Sequence, residues 1–124
     1  MKKTVLASVC AGLIGLIASM PAAADSVLRV LVVQAPDVAA YVKEVQNLQA
    51  LLKKLGQPVT IRAWRATYAG PDTGAIVVSI EVPNLAALGK LNDTIQTNAD
   101  AAAEMKKIVG LRHVVSDSLY ESLP

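Results

Sequence analysis

The chain has no phenylalanine, one tryptophan, one cysteine and one histidine, and aromatic residues fill only 3% of its 124 positions. One cysteine forbids an internal disulfide and a paired-thiol redox motif. One histidine, with no second cysteine, argues against a zinc or haem site, which needs several convergent ligands. Neither a glycine-rich phosphate loop nor a nucleophile elbow is present. Charge is scarce too, at 18%, whereas hydrophobic residues reach 53%. That balance excludes a disordered chain, and the length bounds it to one domain. With so few aromatics, the core has to be aliphatic.

Residues 1–24 read as a cleavable secretory signal. Lys2 and Lys3 supply the positive start, Val5 to Ile17 an uncharged apolar run, Met20-Pro21 the break, and Ala22-Ala23-Ala24 the small residues of a cleavage site. Cys10 lies inside the apolar run behind Val9, which does not suit lipidation. The expectation is export to the periplasm or the medium, with cutting after Ala24. Residues 25–124 then form one domain that holds ten Lys+Arg, ten Asp+Glu and no cysteine. A net charge near zero argues against nucleic acid, and against an anionic membrane surface after cleavage, as partners.

Ser26 to Gln34 is a nearly continuous β-branched run, which suits a central strand. Pro36-Asp37 opens a helix with Asp37 as its cap, and Val38, Val42, Val45, Leu48, Leu52 and Leu55 form its apolar stripe. Lys53 and Lys54 suit the last turn, and Gly56 ends the helix. Val59 to Ala69 and Ala75 to Val82 read as a hairpin around the turn residues 70–74. Asn84 caps a second helix with a stripe at Leu85, Leu88, Leu91 and Ile95. A break at 97–100 leaves Asp100 to cap a fresh helix through Ile108, and Leu111 to Tyr120 is a last strand. The order βαββαβ predicts an α+β, ferredoxin-like fold: a four-stranded antiparallel sheet with helices on one face and the two most apolar strands, first and third, in the centre.

Alternation assigns the sheet faces. Ile76, Val78, Ile80 and Val82 point to the helices with Val59, Ile61 and Ala63, while Val77, Ser79, Glu81, Arg62, Trp64, Ala66 and Tyr68 point the other way. A two- or four-residue loop centred on Pro71-Asp72 sets Arg62 opposite Glu81, Trp64 opposite Ser79 and Ala66 opposite Val77. Arg29 is placed on this open face with Leu31 and Val33, as a second cation near Glu81. So mixed a surface leaves an apolar patch of roughly several hundred Å². Packing against a second copy hides it, so a homodimer with two-fold symmetry is expected.

The segment Arg62 to Gly74, followed by Val77 to Leu88 with its acidic–apolar–Pro strand end and Leu-Ala-rich helix, resembles the dimeric α+β barrel superfamily, which includes antibiotic-biosynthesis monooxygenase-like, NIPSNAP-like and stress-responsive barrel domains. The resemblance covers the whole of 25–124 in topology and implies a dimeric α+β barrel. It carries over no catalytic residue, because the Asn/Trp/His set of the haem-degrading members has no counterpart here.

The candidate ligand-binding residues are therefore Arg62, Trp64, Tyr68, Glu81 and Arg29. Arg62 and Glu81 either anchor a ligand carboxylate or satisfy each other at a dimer interface. Trp64 either stacks on a flat ligand or packs the interface. His113 is the one candidate general base, sharing a strand face with Val115 and Asp117, although alternation does not decide whether that face is the open one. No metal and no cofactor is expected. Three functions fit: a binding protein for a small apolar or amphipathic molecule, a cofactor-independent monooxygenase or isomerase, and an interaction module with a filled barrel. A cavity of about 300 Å³ near Trp64 separates the first two from the third.

Overall fold

The computed structural model describes residues 26–124. The signal segment, its cleavage point and Cys10 lie outside the described residues. Four strands, β1 (Val27–Gln34), β2 (Thr60–Arg65), β3 (Ile76–Val82) and β4 (His113–Glu121), and three helices, α1 (Val38–Lys54), α2 (Leu85–Thr97) and α3 (Ala99–Gly110), follow one another as β1, α1, β2, β3, α2, α3, β4. The sheet order is β2-β3-β1-β4 and all pairs are antiparallel, which is the ferredoxin-like arrangement with β1 and β3 central. No described helix is long and apolar enough to cross a membrane.

Each helix start is written locally. Asp37 accepts a hydrogen bond from the Ala40 N–H at 3.0 Å, and Asn84 accepts one from the Ala87 N–H at 2.8 Å. The break between α2 and α3 is where the sequence set it, but its cap is Asn98, whose side chain accepts from the N–H groups of both Asp100 and Ala101. Asp100 lies one position inside the helix, where its charge favours the positive dipole end. Lys53 and Lys54 close α1, and Gly56 beyond it takes φ 75°, open to residues without a Cβ.

The core lies between one sheet face and the helices. Val27, Leu31, Val33, Ile76, Val78 and Val82 meet Tyr41, Val45, Leu48 and Leu52 of α1, Leu91 of α2 and Ile108 of α3. The α1 stripe differs from the expected one in its first turns: Tyr41 is fully buried where Val42 was expected, and Leu55 is exposed. Tyr41 tolerates that position because its hydroxyl accepts a hydrogen bond from Arg112 Nη1 at 3.2 Å. Glu104 of α3 is the one buried charged residue among those described. Its carboxyl is pushed up by burial and by a hydrogen bond with Glu44 of α1, whose own carboxyl is lowered by that bond; Lys107 Nζ lies 3.6 Å away.

β2 lies at one edge of the sheet. On β2 the Gln49 side chain behaves as a strand partner, donating to the Val59 carbonyl at 3.1 Å and accepting from the Ile61 N–H. Two outer backbone groups at the start of that edge are thus satisfied by α1.

Candidate functional site: the uncovered sheet face

The face opposite the helices is a regular array, because the strand registers are fixed. Reading across β2, β3, β1 and β4, the first row is Thr60, Glu81, Leu28, Tyr120; the second is Arg62, Ser79, Val30, Ser118; the third is Trp64, Val77, Val32, Ser116. Aliphatic groups fill the middle, serines interrupt them, and the two aromatic residues stand at diagonally opposed positions.

The hairpin register differs from the sequence expectation by two residues. Thr60, not Arg62, is opposite Glu81; Arg62 is opposite Ser79, and Trp64 opposite Val77. The loop is the cause. Gly70–Asp72 forms a turn of 3₁₀ helix, and Ala66 closes against Ala75, donating its N–H to the Ala75 carbonyl at 2.9 Å. Gly70 and Gly74 take φ 57° and 90°, backbone that favours glycine. A shift of two preserves side-chain faces, so the β2 and β3 assignments hold while the partners change.

The β1 assignment is overturned. Leu31 and Val33 are in the core, and Leu28, Val30 and Val32 face outward instead. Arg29 goes with Leu31 to the helix side. There its Nε donates to Asp117 Oδ1 at 2.9 Å and its Nη2 to Oδ2 at 2.6 Å. That hydrogen bonding raises the Arg29 pKa and holds the Asp117 carboxyl below its usual range. Arg29 is therefore not a neighbour of Glu81 on the open face. Tyr68 is not part of the array either: β2 ends at Arg65, and the Tyr68 side chain stands fully exposed in the loop. His113 pairs with Gln34 at the far end of β4, whereas Asp117 pairs with Leu31. A β-bulge between them breaks the alternation, so Asp117, already held by Arg29, does not orient the imidazole. Three strand spacings, about 14 Å, separate the strands of His113 and Arg62.

What the fold does bring together is Arg62, Trp64 and Glu81. They surround a cleft of about 440 Å³ with Leu28, Val30 and Val77 as its floor and Thr60 and Ser79 at its sides. The indole is held down by its own hydrogen bond, Trp64 Nε1 donating to Ser79 Oγ at 2.9 Å, yet Trp64 stays 52% exposed. Arg62 and Glu81 form no ion pair with any described residue; the pairs that do form are Arg29–Asp117 and Lys107–Glu104. A second cleft, about 370 Å³, lies at the other end of the sheet between Val33, Val38 and the turn residues Pro71 to Gly74. It carries one carboxylate, Asp72, and no cation. No group of three His, Cys, Asp or Glu among the described residues is placed to hold a metal ion. Sequence reasoning missed Leu28, Val30, Thr60 and Tyr120; the signal that finds them is the β1 pairing with β3, which sets the phase of β1.

No family model matches the chain, and no curated protein matches it. Among solved structures, the chain is similar to a conserved protein of unknown function from Bacteroides thetaiotaomicron VPI-5482, described as a possible oxidoreductase. The TM-score is 0.57 at 12% identity, over 80% of this chain and 99% of that one. It also resembles, at a TM-score of 0.49 and 17% identity over 77% of this chain and 95% of the other, a dimeric protein of unknown function and ferredoxin-like fold from Bacteroides fragilis NCTC 9343. At 12% identity the first likeness speaks for the fold alone.

Proposed function

We propose that this protein is an exported homodimer that holds a small apolar or amphipathic molecule between two copies of its open sheet face. The observation that carries the reading is the cleft at Trp64: an aliphatic floor, an aromatic wall and few polar groups, on a face that no part of the described chain covers. Leu28, Val30, Val32 and Val77 are only half-buried there. A soluble monomer rarely leaves so continuous an apolar surface in water. The resemblance to dimeric α+β barrel domains supports the same arrangement, and the pattern of residues 1–24 supports export. At about 440 Å³ on the single chain, the cleft is of the size a small ligand needs. The alternative, a cofactor-independent monooxygenase or isomerase, would have Arg62, Trp64 and Glu81 at the cleft to draw on, without His113, which pairs with Gln34 at the far end of β4.

Trp64 is the single tryptophan, so its fluorescence reports on the cleft directly. Titrating the purified protein with the apolar probe anilinonaphthalene sulfonate should give saturable energy transfer from Trp64, at about one probe per cleft. A linear, unsaturable response, or one that survives unchanged when Val30→Glu places a charge on the cleft floor, contradicts the reading.

A further inference from the structure

On the open-face positions of the strands, Arg62 is the one Lys or Arg and Glu81 the one Asp or Glu. They sit on adjacent strands one step out of register, Arg62 opposite Ser79 and Glu81 opposite Thr60, so they are diagonal neighbours across the β2–β3 ladder. Both are exposed, and neither has an ionic partner among the described residues. On the covered face Arg29 meets Asp117 within the chain.

Anything that covers the open face takes both charges out of water. Leaving either unanswered there would hold a charge away from water with no counter-ion, which is strongly unfavourable. An apolar molecule in the cleft answers neither. A second copy answers both at once if its two-fold axis lies in the plane between the sheets and crosses midway between Arg62 and Glu81. Rotation about such an axis places each residue over the position of the other.

Resting on the homodimer reading above, we propose that Arg62 of each copy pairs with the partner's Glu81, and that these two symmetric ion pairs fix how the sheets are set against each other. The axis then passes over the rim of the Trp64 cleft, so the two clefts merge into one central chamber rather than two separate pockets. The charges specify the dimer; the aliphatic floor and the indole supply its area.

Charge reversal tests this, with the association constant read by sedimentation equilibrium and folding by circular dichroism. Arg62→Glu and Glu81→Arg should each keep the fold and weaken the dimer by at least about tenfold. Mixing the two single variants should restore association, because one copy then presents two carboxylates and the other two guanidiniums. The double variant carrying both changes should also recover it. Single reversals that dimerise like the unaltered protein overturn the proposal, as do folded variants whose mixture fails to recover. If Trp64→Ala splits the dimer while Arg62→Glu does not, the face-to-face reading stands and the ion-pair assignment falls. An unaltered protein that stays monomeric removes both.

Discussion

The two faces of one sheet obey different rules. On the helix side, the central aliphatic residues are sealed: Val33 is wholly buried, Val27, Leu31, Ile76, Val78 and Val82 nearly so, and Arg29 is held by Asp117 in a two-point hydrogen bond. On the other side, Leu28, Val30, Val32 and Val77 remain half-buried, the tryptophan is half exposed, and Arg62 and Glu81 stand without ionic partners among the described residues. The same strands build both faces, so the difference is not one of local propensity. Arg29, set among the sealed residues, is answered inside the chain by Asp117. On the open face Arg62 and Glu81 have no ionic partner among the described residues, and that contrast is the ground for proposing a second copy there.

The largest effect expected from breaking this contrast comes from matched truncations. Leu31→Ala on the sealed face should cost about 2–5 kcal/mol in denaturant unfolding, because the helices above it close poorly over the void. Leu28→Ala, three positions earlier and facing outward, should cost the single chain roughly half the smaller figure or less, since it is only half-buried, and should show instead as weaker association. Equal losses in unfolding, with no change in association, would mean that the faces are equivalent.

A smaller effect sharpens the electrostatic side. Arg29 and Asp117 are each a third or more exposed, at 34% and 40%, so solvent screening limits the pair to about 1 kcal/mol or less. The Asp117 carboxyl is held below its ordinary value of 3.8 mainly by the Arg29 hydrogen bond. A lowered folded value contributes stability that is present above 3.8 and lost as the pH falls through the folded value. Arg29→Ala should therefore be less stable than the unaltered protein at pH 7, with the deficit shrinking as the solution is acidified below pH 4. Urea midpoints across that range check it, and a deficit that does not change with pH would place the contribution of Arg29 in packing rather than in charge.

Much of this was legible in the residues. The element order followed from Asp37 and Asn84 as caps and from stripes at helical spacing, and the β3 faces from the alternation of Ile76, Val78, Ile80 and Val82 with Val77, Ser79 and Glu81. Three features were not legible, each for a physical reason. In β1 both faces are aliphatic, so period two has no phase, and Arg29 drew the strand to the wrong one. The hairpin register depended on a turn of 3₁₀ helix at Gly70–Asp72, whose length the turn residues do not state. The bulge in β4 leaves no mark in the residues around Val115, yet it alone separates His113 from Asp117.

The central claim is that an identical chain shields the open face, and mass in solution tests it most directly. Sedimentation equilibrium of the purified protein at micromolar concentration should give twice the chain mass, falling toward the single mass in Trp64→Ala. A single chain mass for the unaltered protein, with Trp64 emission typical of indole in water, would contradict the account.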